Sequence, residues 1–166
     1  MAVIIDGTDS IGDLGDALAA KSPSASPTFT GNVVWSAATL RTDTATVATN
    51  QTTTTAAYTD LATPGPAVTV TTGTKALVIF SAATYNSGVQ TNRIGVAVSG
   101  ATTVAASNAY SGAADTPSAG AASQVTQAFL LTGLTAGSNT FTLKFYTTGG
   151  TAAFATRFIT VVDMGS

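Results

Sequence analysis

From Val68 onward apolar residues recur at every second position, and no other feature of the chain limits its fold as tightly. Val68 and Val70 alternate with Thr69 and Thr71; Ile94, Val96 and Val98 with Gly95, Ala97 and Ser99; Phe141, Leu143 and Phe145 with Thr140, Thr142, Lys144 and Tyr146. Successive side chains point to opposite faces only in a pleated strand, so each run reads as a strand with one buried face. Two runs break the alternation. ALVIF at 76–80 and FITVV at 158–162 are apolar on both faces or nearly so, which predicts central strands or strands at a subunit interface.

Turn and breaker signals separate these runs: ATPGP at 62–66, Thr72-Gly73, Asn86-Ser87-Gly88, Ser99-Gly100, residues 133–139 and Gly149-Gly150. Most intervals hold one strand or a pair. Eight or so antiparallel strands predict an all-β fold, a jelly-roll-like β-sandwich. The Ala/Gly/Ser-rich stretch 107–123 has no clear period and reads as a long surface loop.

The surface of such a sandwich is unusually neutral. Charged residues make up 8% of the 166, where about a quarter is usual, so Thr, Ser, Asn, Gly and Ala must cover most of it. Large uncharged areas are more simply explained as subunit contacts than as bare surface. The six basic residues, Lys21, Arg41, Lys75, Arg93, Lys144 and Arg157, are widely spaced, and the net charge is -2. That argues against a nucleic-acid partner, whose binders gather Lys and Arg on one face. Nothing approaches the length of a membrane span. The first residues lack the basic and apolar regions of a signal peptide, which predicts assembly in the cytoplasm of the producing cell. Cysteine is absent, so neither disulfides nor thiolate metal ligands are available.

Acidity concentrates at the start, in Asp6, Asp9, Asp13 and Asp16. Within residues 10–21, Ile11, Leu14 and Leu18 fall three and four apart, which predicts one stripe of a short helix with Asp13 and Asp16 near its N-terminal end and Lys21 near its C-terminal end. About three turns do not stand alone in water, so the stripe must pack on something. SPSASP at 22–27 then reads as an extended linker, and strand-type sequence begins at Thr28. The expected organisation is an attachment arm over residues 1–31 and a β-sandwich over 32–166. Ile11, Leu14, Leu18, Phe29 and Trp35 are the expected assembly-interface residues.

The AAKSPSASPTFTG segment at 19–31 resembles one that recurs in structural proteins of tailed bacteriophages, at the junction between an N-terminal attachment region and a β-rich module. YTDLATPGPAVTVTTGTKALVIFSA from Tyr58 and LTGLTAGSNTFTLKF from Leu131 look like segments of β-sandwich modules in such proteins. Some of those modules resemble trimeric tumour-necrosis-factor or C1q-type jelly rolls. The resemblance implies a virion component on the capsid exterior, a homotrimer whose other partner is the major capsid protein. Long fibres repeat the ASPTFTG-type segment, and here it occurs once, which suits a compact part such as a capsid decoration or cement protein. The alternative is a tail-fibre, tail-tip or minor tail subunit binding a host-surface glycan through loops near 107–123.

Chemistry is sparse. Without His, Cys or Glu, the commonest general bases, thiol nucleophiles and zinc ligands are missing. The surroundings of Ser87 and Ser111 lack the GxSxG pattern and read as turns. No phosphate-cradling glycine motif occurs. A glycosidase would need two convergent carboxylates from Asp43, Asp60, Asp115 and Asp163, of which Asp60 and Asp115 sit in turn-like sequence. Asp6-Gly7-Thr8-Asp9 lacks the further spaced acids of an EF-hand. Trp35, Tyr58, Tyr85, Tyr110 and Tyr146 are candidates for a sugar-binding face, although such residues in sandwiches usually pack in the core or at an interface. The expectation is therefore a non-enzyme with no catalytic residues, no cofactor and no metal.

Overall fold

The computed structural model describes residues 40–165. The expected arm, its helix, the residues Ile11, Leu14, Leu18, Phe29 and Trp35, and the onset of strand at Thr28 lie outside the described residues. What is described is an antiparallel β-sandwich of nine strands: β1 (Thr42–Val47), β2 (Gln51–Thr53), β3 (Ala67–Thr72), β4 (Lys75–Asn86), β5 (Thr91–Gly100), β6 (Ser111–Asp115), β7 (Ala122–Thr132), β8 (Gly137–Thr147) and β9 (Ala152–Asp163). One sheet has the order β1-β9-β4-β7, with β2 also on β9; the other has the order β3-β8-β5-β6. From β3 to β9 every connection except β5 to β6 switches sheet, which is the winding of a jelly roll.

Alternation decides what enters the core. Val68 and Val70 of β3, Ile94, Val96 and Val98 of β5, and Phe141, Leu143 and Phe145 of β8 are buried. Facing them are Val78 and Phe80 of β4 and Phe154, Ile159 and Val161 of β9. Each fully buried Phe or Leu removes enough apolar surface from water to stabilise the fold by about 2 kcal/mol. The two non-alternating runs, ALVIF and FITVV, are the central pair β4 and β9 of the first sheet.

An extra residue in β9 resets its phase. Pairing runs from Ser81 with Phe158 to Ala83 with Ala155, so three steps on β9 match two on β4. Thr156 takes up the extra residue at φ 50°, a left-handed conformation uncommon outside glycine. Below this bulge the odd residues Arg157, Ile159 and Val161 point inward; above it Phe154 and Ala152 do. The bulge thus delivers Arg157, fully buried, to the core. Its Nη1 donates to the carbonyls of Thr63 and Gly65, each at 3.2 Å, and its Nη2 donates to Gln51 Oε1 at 2.9 Å and the Thr49 carbonyl at 3.3 Å. The guanidinium also lies 5.4 Å from the Phe145 ring centre. Among the described residues no carboxylate pairs with it, and burial lowers its pKa from the ordinary arginine value.

Asparagines close both ends of the sandwich. At one end buried Asn86 donates to Asn92 Oδ1 at 2.8 Å and Thr147 Oγ1 at 2.9 Å, and Asn92 donates to Thr84 Oγ1 at 2.8 Å. At the other, Asn139 donates to Thr72 Oγ1 at 2.8 Å and accepts from the Thr102 amide at 2.8 Å. Buried amides with their partners in place fix these ends without apolar residues.

The sequence-based expectation of a loop over 107–123 is corrected. That stretch contains a 3-10 turn at Asn108–Tyr110, the edge strand β6 and the start of β7. β6 lacks an apolar alternation because it packs too closely for one: a Cβ on Gly112 would come within 2.7 Å of Val125. Ser111, read as a turn residue, opens β6, and the turn expected over 133–139 ends earlier because β8 begins at Gly137.

Replacing Arg157 with alanine should cost about 3–5 kcal/mol, because it opens a cavity and leaves the carbonyls of Thr49, Thr63 and Gly65 without their donor. Urea unfolding of the two proteins measures this, and a loss below about 1 kcal/mol would show the guanidinium to be incidental.

Candidate functional site

The outer faces of the two sheets differ in chemistry. On the β3-β8-β5-β6 sheet the outward residues include Thr69, Thr71, Thr140, Thr142, Ala97 and Ser99, with Lys144, Arg93 and Tyr146 further along. Lys144 pairs with Asp60 at 2.6 Å. Tyr58 lies against Gly95, its ring centre 5.5 Å from that of Tyr146, and its hydroxyl donates to Asn108 at 2.9 Å. This is a hydroxyl-rich, charged face of the kind water covers readily.

The other sheet presents three outward rows, read from its register. The first is Thr42, Val162, Leu77 and Leu130; the second Thr44, Thr160, Ile79 and Ala128; the third Thr46, Phe158, Ser81 and Thr126. None of these twelve positions is charged, and Leu77, Ile79, Phe158, Val162 and Leu130 form an apolar centre beside a threonine border. Leu130 is 50% exposed. With about 4.8 Å between strands and about 6.8 Å between residues on one face, the rows span about 400 Å² of sheet, six of the twelve positions being threonine or serine.

The patch is bounded on one side by the outer edge of β7, which pairs with no further strand among the described residues. This strand, ASQVTQAFLLT, runs eleven residues without a charge or a proline, so its outer edge lacks the devices that keep exposed strands from pairing with other chains. Face and edge together form one continuous neutral surface.

The arm residues Ile11, Leu14, Leu18, Phe29 and Trp35 lie outside the described residues. Leu77, Ile79, Phe158 and Val162 carried a sequence signal, the loss of alternation in ALVIF and FITVV. Leu130 and Ala128 carried little, because the FLL run of 129–131 does not distinguish inside from outside. Of the described tyrosines Tyr58 and Tyr146 meet, but the other two lie apart from them: Tyr110 packs on Phe129 at 5.4 Å between ring centres, and the Tyr85 hydroxyl accepts from Asn50 at 3.1 Å. The described carboxylates serve separate contacts, Asp60 with Lys144, Asp115 with the Thr91 hydroxyl at 2.6 Å, and Asp43 with the Thr44 amide at 2.8 Å. Among the described residues no three His, Asp or Glu side chains gather where a metal would sit, and no helix is long and apolar enough to cross a membrane.

Asp163 secures the end of the sandwich at which Leu40 and Met164 lie. Its Oδ1 accepts from the Gly73 amide at 2.8 Å and the Gly165 amide at 3.0 Å, and Arg41 stands 3.8 Å from Oδ2. The Gly73 hydrogen bond, followed by that from Gly165 and the charge of Arg41, holds its carboxyl below the ordinary aspartate value against the opposing effect of burial.

No protein-family model matches the chain, and no curated protein sequence matches it. Among solved structures it is similar in fold to Eiger TNF from S. frugiperda, with a TM-score of 0.54 and 16% identity over 76% of this chain and 94% of that one. A structure of the infectious bursal disease virus Gx strain gives a TM-score of 0.48 and 15% identity over 84% of this chain and 37% of that one. The first likeness shows the shared jelly-roll fold.

Because the Asp163 pKa is depressed in the folded state, its contribution to stability is present above the ordinary carboxylate range and is lost as pH falls through the folded value. Asp163→Asn should therefore be less stable than the parent near neutral pH, by about 1 kcal/mol, and the difference should vanish by about pH 2. Urea midpoints across that range measure it; an unchanged difference at all pH values would contradict the assignment.

Proposed function

We propose that the protein is a non-enzymatic structural component of a tailed-phage virion, a homotrimer used as a capsid decoration protein. The uncharged outer face of the β1-β9-β4-β7 sheet carries this reading. A second copy of the chain is the occupant that suits it, because each copy carries both a neutral face and an uncharged β7 edge. Contact between the edge of one copy and the face of the next is heterologous, and such contacts close into a ring when the rotation permits. The three rows span about half of the roughly 800 Å² that each partner buries in a stable interface, and the β7 edge extends them. The low charge of the chain supports the same arrangement.

The phage assignment rests on the AAKSPSASPTFTG segment and on the arm-plus-head organisation of the sequence. In this reading residues 1–31, with the stripe Ile11, Leu14 and Leu18, bind the major capsid protein. The β-sandwich adds contact area on the capsid exterior, holding capsomers against internal pressure.

Light scattering behind a sizing column should give about three times the 16.4 kDa chain mass. Ile79→Asp or Leu77→Asp, each burying a carboxylate in the contact, should convert the trimer to folded monomer; trimers that survive both substitutions would move the interface elsewhere. In purified virions, quantitative mass spectrometry should find the protein at an abundance comparable to that of the major capsid protein. Deleting residues 1–20 should abolish incorporation. A handful of copies per particle would instead indicate the tail, and absence from virions would overturn the assignment.

A further inference from the structure

A second polar site lies at the end of the sandwich away from Leu40 and Met164, where the turns after β4, β6 and β8 meet. These turns are held by more hydrogen bonds than their connection requires. Asn86 donates to Asn92, Thr147 and the Gly149 carbonyl, and its own carbonyl accepts from the Gly120 amide at 2.7 Å. The Ser87 amide donates to the Thr151 carbonyl at 3.1 Å, and the Thr116 amide to the Gln90 carbonyl at 2.9 Å. Between the turns runs an open groove of about 380 Å³ lined in part by Val89, Gln90, Thr91, Asp115, Pro117 and Thr148, within the range of small-molecule sites.

Two side chains in this groove use one half of their hydrogen-bonding capacity internally. Gln90 Oε1 accepts from the Thr148 hydroxyl at 2.8 Å, and that hydroxyl accepts in turn from the Thr91 amide at 3.0 Å. In this arrangement Oε1 takes the Thr148 proton, and Gln90 Nε2 is left without a partner among the described residues. Asp115 Oδ1 accepts from the Thr91 hydroxyl at 2.6 Å, and its Oδ2 likewise has none. The amide is held by shape as well: it lies against Gly149, where a Cβ would sit 3.1 Å from Gln90 Cδ. The groove therefore offers one donor on Gln90 and one acceptor on the exposed Asp115, beside the 68% exposed Val89 and the exposed Pro117.

We propose that this groove binds a neutral sugar ring through two adjacent hydroxyls. One hydroxyl oxygen accepts from Gln90 Nε2, its neighbour donates to Asp115 Oδ2, and Val89 and Pro117 meet the C–H face of the ring. Asp115 is the one charged group lining the groove, so an acidic sugar is disfavoured. The site stands apart from the sheet face used for assembly and does not depend on the oligomeric state.

Titration of the ¹⁵N-labelled full chain with methyl galactopyranoside, methyl mannopyranoside and methyl glucopyranoside tests the site. At least one should shift the Gln90 side-chain amide resonances with a dissociation constant of roughly millimolar order, as a small two-bond contact allows. Gln90→Glu keeps Oε1 but removes the donor, and Asp115→Asn keeps Oδ1 but turns the free acceptor into a donor. Each should weaken binding at least tenfold while leaving backbone amide positions outside the groove unchanged. The proposal is overturned if no glycoside moves the Gln90 amide, or if both variants bind as the parent does. An unfolded variant would show in its backbone spectrum, and the other then carries the decision.

Discussion

Burying a guanidinium is costly, and Arg157 is buried completely with no carboxylate beside it among the described residues. What makes the arrangement tolerable is that the carbonyls of Thr49, Thr63 and Gly65 and the amide oxygen of Gln51 all point at it. These acceptors lie on the β1–β2 connection, the start of β2 and the segment that leads into β3. A cation that requires all of them at once fixes the first third of the sandwich to β9. The bulge at Thr156 is the other half of the device, since without the extra residue β9 could not hold Arg157 and Phe154 on the inner side together. Apolar packing by Phe145 and Phe154, whose ring centres are 4.8 Å apart, then fills the space beside the charge.

With its ends closed by asparagines and its first segments fixed to β9, the sandwich leaves its two outer faces free to differ. A monomer needs both to be wettable. Here one sheet shows threonines with Lys144 and Arg93, whereas the other shows Leu77, Ile79, Phe158 and Val162. Threonine suits the border of such a face because its methyl packs and its hydroxyl finds a partner, as in the hydroxyl pair of Thr44 and Thr160. A neutral border lets water leave without the desolvation cost that lysine or aspartate would impose.

The parts of this fold legible in the sequence are those governed by period alone. Val68 and Val70, Ile94 to Val98, and Phe141 to Phe145 face the core as their alternation requires, and the loss of alternation in ALVIF and FITVV marks the central strands. What was not legible depends on contacts distant in sequence. Gly112 reads as loop because its partner is Val125 on another strand. Arg157 reads as one more scattered basic residue, since its burial follows from a bulge that nothing in FATRF announces. Gln90 and Asp115 are ordinary polar residues until the folded turns commit half of each to internal bonds. The assembly residues expected from the arm lie outside the described residues; the neutral face of the sheet, with Leu77, Ile79, Phe158 and Val162, is a separate candidate.

Assembly face and groove are related by the direction of the strands. β4, β7 and β9 all run between the end that holds Leu40 and Met164 and the end that holds the groove. Rotation about a threefold axis leaves direction along that axis unchanged. If the proposed trimer packs with these strands roughly along its axis, all three grooves face one way. A single groove of millimolar affinity would be a weak contact, but three held rigidly on one surface convert later binding events into intramolecular ones. The gain in avidity is on the order of a hundredfold or more where the spacing of sugars matches that of the grooves. The neutral face and the half-committed side chains at the far end are both consequences of one winding of the chain.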